Sequence, residues 1–332
     1  MKKDGPILQV NNLRTWFHTP RGVLKAVDDV SFYLNRGETL GIVGESGCGK
    51  SVTCNSVMRL VQTPPGEYAG GEIIFDGEDV LKMPKRKLQE LRGGRIAMVF
   101  QEPMAALNPV YTIGDQMREA LRLHMTISKK EADARVLELL KLVRIPNAEK
   151  IMKSYPFMLS GGMRQRVVIA MAMACEPDIL IADEPTTALD VTIQAQILNL
   201  MKKLKEERNT SILFITHDLA VISECADRVM VMYAGKVCES APTKELIRHA
   251  SHPYTVGLIA SKPGQKETAN RLRTIPGNVP SLLHKPSGCP FHPRCSECTG
   301  KCKEEFPPVT EIAPGHTVAC WKYVKEEDEA NV

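Results

Sequence analysis

The sequence predicts an α/β fold built on a parallel β-sheet, and two features of the chain support this. Residues 39–43, 178–185 and 211–218 are short, largely apolar segments of the kind that form strands buried on both faces of a sheet. Each segment ends in, or is followed by, glycine, carboxylate or imidazole residues. Ligands bind at the carboxyl ends of parallel strands, so we expect a functional site at that edge of the sheet.

The 332-residue chain has the composition of a globular protein, with 43% hydrophobic and 25% charged residues. Its length suits one large domain with an appendage, or two domains. The net charge of +4 is small, and the basic residues are dispersed among acidic ones, so no nucleic-acid partner is expected. An apolar leader and an uncharged stretch of about 18 residues are both lacking, so we expect neither signal peptide nor membrane span, and a cytosolic protein with reduced thiols.

The first apolar segment lies in GETLGIVGESGCGKS, residues 37–51, which contains the phosphate-binding P-loop pattern G-x-x-x-x-G-K-S. The glycines let backbone N–H groups converge on an anion at the start of a helix. Lys50 is expected to reach the β- and γ-phosphates, and the Ser51 hydroxyl to bind Mg²⁺. The predicted nucleotide-binding residues of this loop are Gly44, Glu45, Ser46, Gly47, Cys48, Gly49, Lys50, Ser51 and Val52.

The other two segments end in groups suited to nucleotide hydrolysis. Asp183 is placed to hold Mg²⁺, and Glu184 follows it, where it can polarise an attacking water. The third segment presents His217 to the γ-phosphate. A lone histidine is more often structural, but one that closes a sheet strand in a chain with a P-loop points to catalysis.

Residues 159–167, LSGGMRQRV, resemble the signature sequence of the ATP-binding-cassette (ABC) ATPases. By itself this segment indicates only a helix with a serine cap and two glycines. The resemblance implies that Ser160, Gly161, Gly162 and Met163 bind the ATP held by the P-loop of a facing subunit, so that two subunits sandwich two nucleotides. Most of the family has glutamine where this chain has Met163.

Other landmarks of the family match residue by residue. Gln101 resembles the glutamine that contacts Mg²⁺ and the attacking water, and Asp190 resembles the aspartate that contacts the partner subunit. Phe17 occupies the position of the aromatic ring that stacks on adenine, with neighbouring Trp16 as the competing candidate. The catalytic residues that the resemblance implies are Lys50, Gln101, Glu184 and His217.

The resemblance implies a P-loop NTPase core of RecA-like type in an ATP-binding domain of residues 1–262, with an antiparallel β subdomain and a helical subdomain at about 102–176. Apolar spacing predicts helices there, and Ser128 with Glu131 predicts a capping box. The expected buried residues of these helices are Ile113, Met117, Ala120, Leu121, Leu123, Val136, Leu137, Leu140 and Val143. The segment is too short for the long coiled coils of DNA-tethering members of the superfamily.

The end of the chain, residues 263–332, is predicted to be a cysteine-rich extension. SHPYTVGLI at 251–259 and the segment 274–295 resemble the C-terminal extension of ATPases from dipeptide, oligopeptide and nickel importers. Cysteine spacing alone fits zinc or an iron–sulfur cluster about equally well. The resemblance implies a [4Fe–4S] cluster, with Zn²⁺ as the alternative and Cys298 as an extra thiol. The implied cluster ligands are Cys289, Cys295, Cys302 and Cys320.

Together, the sequence and the resemblance predict the ATP-hydrolysing subunit of a prokaryotic binding-protein-dependent importer for di- or oligopeptides, at the cytoplasmic face of the membrane. The implied partners are a second ABC ATPase, expected to be a paralogue, two transmembrane permease subunits and an extracytoplasmic peptide-binding protein. Nickel or another small solute is an alternative cargo. A soluble ABC ATPase that acts on nucleic acid is one alternative, but it would need a basic stripe, which this sequence lacks. A non-catalytic regulatory subunit is another, but it would not need Glu184 and His217, and both are present.

Overall fold

In the computed structural model of this protein, residues 5–102, 106–186, 190–261 and 274–325 are described. Their contacts divide the chain into two compact units. The carboxylate unit comprises residues up to 7, 34–38 and 82–215, and the P-loop unit comprises residues 8–33, 39–81 and those from 216 onward. Each unit contains helices and strands, as an α/β fold requires.

The strands of the described residues are β1 (Leu8–Thr19), β2 (Gly22–Leu34), β3 (Thr39–Val43), β4 (Gly66–Phe75), β5 (Glu78–Asp79), β6 (Ile96–Val99), β7 (Ile179–Asp183), β8 (Ser211–Ile215), β9 (Arg228–Tyr233), β10 (Lys236–Pro242), β11 (Val309–Ala313) and β12 (His316–Ala319). The α-helices are α1 (Lys50–Val57), α2 (Lys85–Leu91), α3 (Ile113–His124), α4 (Lys129–Leu142), α5 (Ala148–Ile151), α6 (Gly161–Ala172), α7 (Val191–Arg208), α8 (Leu219–Cys225), α9 (Thr243–His249), α10 (Pro253–Ala260) and α11 (Lys301–Glu304). Among the described residues, none of these helices is both long and apolar enough to cross a membrane.

The P-loop unit contains two groups of paired strands. β3 pairs in parallel with β9, which continues through antiparallel pairs to β10, β12 and β11. The second group is an antiparallel sheet in the order β2-β1-β4-β5, which confirms the predicted antiparallel β subdomain. The β11–β12 hairpin of the C-terminal region therefore extends the strands beside the P-loop strand. The predicted domain boundary at 262/263 falls in residues 262–273, outside the described residues.

In the carboxylate unit, β6, β7 and β8 form a parallel sheet that contains two of the three predicted strands, β7 and β8, and every residue of these two strands is buried. Between residues 102 and 176 the described elements are helical. The predicted capping box of Ser128 and Glu131 is present at the start of α4.

The predicted burial of the helical residues is confirmed at most positions and wrong at Leu123. Its side chain is 73% exposed, whereas Ile113, Met117 and Leu121 of the same helix are fully buried. Leu123 lies two positions beyond Leu121, which turns it away from the buried stripe because a helix advances 3.6 residues per turn. Ala120 and Leu137 are only half-buried, and Leu139 takes the core position next to Leu140.

Candidate active site and cysteine cavity

The P-loop follows β3 directly, and its backbone requires glycine at two points. Gly44 and Gly49 have φ angles of 154° and 104°. A Cβ at Gly44 would lie 2.2 Å from the Met232 carbonyl oxygen, and one at Gly49 would lie 2.4 Å from the Ala26 carbonyl oxygen. Gly49 is also the N-cap of α1 and has no side chain to cap the helix, which suits a helix start that binds an anion. The glycine pattern thus reflects steric necessity.

The Lys50 side chain is buried within the P-loop. Its Nζ donates hydrogen bonds to the carbonyl oxygens of Gly44 at 2.7 Å and Glu45 at 3.0 Å, and lies 3.7 Å from the Cys48 sulfur. Burial raises the pKa of the Cys48 thiol, so this side chain stays neutral beside the ammonium group. The lysine is held in the loop by neutral acceptors, which a phosphate can replace with charge-assisted hydrogen bonds.

The remaining predicted residues of the P-loop unit lie on separate elements. Ser51 is exposed in the first turn of α1. His217 is exposed directly before Asp218, which caps α8 by accepting a hydrogen bond from the Ala220 N–H. Phe17 is half-buried in β1, and the ring of its neighbour Trp16 is covered by the Lys25 ammonium at 4.7 Å.

The carboxylate unit carries predicted catalytic and metal-binding residues at the end of β7. Asp183 is the last residue of this strand and is 6% exposed. Glu184 follows in a left-handed conformation, with φ of 47°, and its N–H donates to the Ile215 carbonyl oxygen at 2.9 Å. The Gln101 Nε2 donates to the Glu184 Oε2 at 3.2 Å. The structure therefore brings together the predicted glutamine and the predicted catalytic carboxylate.

The signature residues begin α6 in the manner expected of a serine cap. Ser160 is the N-cap, and its Oγ accepts a hydrogen bond from the Met163 N–H at 3.4 Å. Residues 160–163 line a cavity of about 460 Å³ together with Asp190, the N-cap of α7. The predicted partner-contacting aspartate and the signature thus share one cavity.

Two arginines in the same cavity were not predicted from the sequence. Arg144 and Arg166 line its wall, and Arg144 is exposed in a left-handed conformation with φ of 56°. For Arg166 there was one indirect signal, since it lies within the signature segment itself. Both add positive charge next to helix α6.

The C-terminal cysteines form a second cavity, of about 350 Å³, in the P-loop unit. The four predicted ligands, Cys289, Cys295, Cys302 and Cys320, line its wall, and the extra thiol Cys298 does not. Within the described residues, which include all ten cysteines, no disulfide bond is formed. The prediction thus selected the four cysteines that share a cavity.

Three of the four thiols in this cavity have pKa values raised above that of an exposed cysteine. Burial raises the pKa of Cys289 to about 12 and raises the pKa values of Cys295 and Cys320. Among the described residues, no group of three or more His, Cys, Asp or Glu side chains is arranged to hold a metal ion. The predicted cluster is therefore not confirmed and stays a prediction. Thiolate ligands would fit iron or zinc, but binding would have to displace their protons.

For the nucleotide site, the donor chemistry fits Mg²⁺. Oxygen atoms are the hard ligands that this ion prefers; Ser51 offers a hydroxyl in the P-loop unit, and Asp183 and Gln101 offer carboxylate and amide oxygens in the carboxylate unit. Asp183 is a buried carboxylate that such an ion would neutralise. The residues present in each unit are thus suited to the predicted metal.

Comparison with known families gives two principal matches. The ABC transporter family matches residues 27–187, and the family described as the oligopeptide/dipeptide transporter C-terminal region matches residues 238–302. An AAA domain family also matches residues 155–223. The first match contains the P-loop and signature residues, and the second contains three of the four cysteines that line the cavity.

Individual proteins are similar over nearly the whole chain. The oligopeptide transport ATP-binding protein AppD of Bacillus subtilis is 49% identical, over 97% of this chain and 98% of its own. OppD of Salmonella typhimurium, also an oligopeptide transport ATP-binding protein, is 48% identical over 96% of this chain and 95% of its own.

A dimeric post-hydrolysis structure of the ATP-binding cassette MJ0796, bound to ADP and Pi, is similar in fold. The match covers 71% of this chain and 98% of that chain, with a TM-score of 0.64 and 29% identity.

Proposed function

The chain belongs to the ATP-binding proteins of the peptide ABC transporters and is an ATPase, and we propose that it energises uptake of di- and oligopeptides through a binding-protein-dependent importer. The observation that carries this proposal is 49% identity to an oligopeptide transport protein over 97% of the chain, the C-terminal region included. The buried Lys50 and the pair formed by Gln101 and Glu184 support retained catalysis.

In the proposed reaction, the P-loop backbone and Lys50 bind the triphosphate. Ser51, Asp183 and Gln101 would hold Mg²⁺, which when bound neutralises charge on the phosphates. Glu184 accepts a proton from the attacking water, and Gln101 orients that carboxylate through its hydrogen bond. His217 stabilises charge on the γ-phosphoryl group. Positioning and electrostatics supply most of the rate.

The signature residues act on the nucleotide of a second subunit in this proposal. Ser160 and the amides that begin α6 provide an anion site at a helix start, and Asp190 lies in the same cavity. ATP therefore draws two subunits together, and hydrolysis removes the phosphate that held them. This cycle of closing and opening drives alternating access in attached permease subunits.

The remaining partners follow from the same family. The proposed assembly contains two permease subunits, a peptide-binding protein outside the membrane and a second ATPase, which we propose is a paralogue. The chain then works as a peripheral subunit at the cytoplasmic face of a prokaryotic membrane. The named relatives from Bacillus and Salmonella support a prokaryotic setting.

We also propose that Cys289, Cys295, Cys302 and Cys320 hold a [4Fe–4S] cluster, with Zn²⁺ as the alternative. Their shared cavity and the exclusion of Cys298 from it support this choice of ligands. Anaerobic purification tests it. A brown protein with equal iron and acid-labile sulfide is expected, and Cys298→Ser should keep both. A colourless protein with zinc would select the alternative, and one with neither metal would overturn the proposal.

The transport proposal is tested by isolating the tagged full-length chain from membranes of its host. We expect two polytopic membrane proteins and a second, related ATPase to copurify. In the reconstituted complex, peptide-loaded binding protein should stimulate ATP hydrolysis. Stimulation by nickel-loaded binding protein alone would assign the other cargo. Stimulation by DNA or RNA, with no membrane partner recovered, would contradict transport.

A further inference from the structure

The C-terminal region holds one residue of the P-loop directly. The guanidinium of Arg294 contacts both carboxylate oxygens of Glu45, with 2.7 Å from Nη1 to Oε2 and 3.2 Å from Nη2 to Oε1. Glu45 is the second residue of the P-loop pattern, directly after Gly44. The Arg294 side chain is 5% exposed and that of Glu45 is 29% exposed. This is a partly buried, two-pronged ion pair, the geometry in which arginine binds a carboxylate most strongly.

Arg294 is itself fixed from several sides. Its Nε donates to the Pro276 carbonyl oxygen at 2.9 Å, and its Nη2 donates to that of Ile275 at 3.3 Å. Its Nη1 also lies 3.3 Å from the Tyr233 hydroxyl. With every guanidinium nitrogen engaged, the position of the charge is set before a nucleotide arrives. The arrangement is pre-organised for holding Glu45 in one conformation.

The main chain of Glu45 is held by the same part of the structure. Its N–H donates to the Tyr254 hydroxyl at 2.9 Å. Phe291 packs on Tyr254 with 5.3 Å between ring centroids, and meets Tyr233 edge-on at 5.2 Å. Phe291 precedes the short helical turn His292–Arg294, and Arg294 ends it, between the cavity cysteines Cys289 and Cys295. The C-terminal region therefore supports Glu45 through both its backbone and its side chain.

A negatively charged carboxylate in a loop that binds a triphosphate weakens ATP binding by electrostatic repulsion. Lys50 donates to the carbonyl oxygen of Glu45, so this residue lies beside the main phosphate-binding cation. An unpaired carboxylate there would repel the incoming anion, and a partly buried site screens this repulsion less than bulk water does. Arg294 cancels that charge and directs the carboxylate into a contact away from solvent.

We propose that Arg294 is a positioning residue for ATP binding, which neutralises Glu45 and fixes the start of the P-loop. The proposal rests on nucleotide binding at this P-loop. It predicts that Arg294 acts on ATP affinity and not on the chemical step, since its contact is with Glu45. It also predicts that the need for Arg294 disappears when Glu45 carries no charge.

The test is a double-mutant cycle on the full-length protein, with ATP and Mg²⁺ titrated calorimetrically. Arg294→Met should raise the Kd for ATP on the order of tenfold, raise KM in parallel and leave kcat within about twofold. Glu45→Gln keeps the backbone N–H of the loop and removes the side-chain charge, so it should lower the Kd for ATP, because the charge of Arg294 is then no longer neutralised. The double variant should return to within about threefold of wild type. Arg248→Met, which removes an exposed arginine of α9, is the matched control and should change nothing.

The cycle separates an electrostatic role from a structural one. The double variant lacks the ion pair as fully as Arg294→Met does, so weak binding by both would show that the contact only supports the fold and would overturn the proposal. Unchanged affinity in Arg294→Met would also overturn it. If Arg294→Met does not fold, Arg294→Lys can be used, since it keeps the charge without the two-pronged contact. Its Kd for ATP should lie between those of wild type and Arg294→Met. A Kd equal to that of wild type would contradict a role for the two-pronged contact. Lys50→Ala must abolish binding, because retained binding would place the nucleotide elsewhere.

Discussion

The side-chain amide of Gln101 donates a hydrogen bond to the carboxylate of Glu184, with 3.2 Å between Nε2 and Oε2. Glu184 sits in a left-handed conformation directly after the strand that carries Asp183. Because the backbone turns sharply at Glu184, the two neighbouring carboxylates lie in different surroundings. Asp183 is buried at the end of the strand, and Glu184 contacts the side chain of Gln101. This division matches the proposed roles of metal ligand and base.

Glu184→Gln should lower kcat by about 10²- to 10⁴-fold, because the amide cannot accept a proton from water. ATP binding should persist, since the P-loop is untouched, and ATP should then trap a closed dimer detectable by size-exclusion chromatography. Glu119→Gln, on the exposed side of α3, is the control and should keep normal turnover. Normal turnover by Glu184→Gln would remove Glu184 from its role.

Ser160→Ala should lower ATP hydrolysis and ATP-driven dimer formation while single subunits still bind ATP. The same change removes a helix cap, which costs about 1 kcal/mol. Ser128→Ala is the matched control, because Ser128 caps α4 with nearly the same geometry. Both variants should lose similar stability in urea denaturation. Equal loss of ATPase activity in both would mean that Ser160 acts only as a cap.

Lys285 predicts a pH dependence of stability. Burial lowers its pKa from 10.5 to about 8, against the opposing effect of Asp28 at 3.5 Å. Between these pH values the unfolded chain binds a proton that the folded chain has released, so the contribution of Lys285 to stability rises with pH.

Relative to Lys285→Met, the wild type should therefore gain up to about 3 kcal/mol in unfolding free energy as the pH rises from 8 to 10.5. Urea titrations of both proteins across that interval measure the difference. Lys303→Met removes an exposed lysine and should track the wild type. A constant difference between wild type and Lys285→Met would show that the pKa of Lys285 is the same in the folded and unfolded chain.

His316→Ala should destabilise the C-terminal hairpin. The His316 Nε2 lies 2.7 Å from the Glu239 Oε1, with the two side chains 2% and 0% exposed. Removing His316 deprives a buried carboxylate oxygen of this hydrogen bond, which costs about 1–3 kcal/mol, whereas an exposed pair contributes less than about 1 kcal/mol. His249→Ala breaks the exposed pair with Glu245 and is the control. Chemical denaturation and limited proteolysis of the hairpin should separate the two variants.

Local signals in the sequence were sufficient for much of the site. The P-loop glycines, the strands that end at Val43 and Asp183, and the Ser160 cap depend on residues close together in the chain, and the structure confirms each of them. A steric requirement at Gly44 and a cap at Ser160 can be inferred from a short segment alone.

Contacts distant in sequence were missed for a physical reason. Glu239 and His316 are 77 residues apart, and no sequence motif around either residue predicts their contact. Which side of α3 is buried was misjudged at Leu123, because apolar spacing alone cannot fix how far the buried stripe extends. The acidic Glu45 inside a phosphate-binding loop was a signal that a cation lies nearby, because an unpaired carboxylate there would repel the phosphates. The residues around Glu45 do not show that this cation is Arg294.

The contact between Glu45 and Arg294 spans 249 positions of the chain. Protein synthesis runs from the N-terminus, so the ribosome finishes the phosphate loop long before it adds the arginine. On the inference above, polypeptides that end before Arg294 bind ATP on the order of tenfold more weakly. Full affinity for ATP therefore develops only after Arg294 has been synthesised and has docked on the loop.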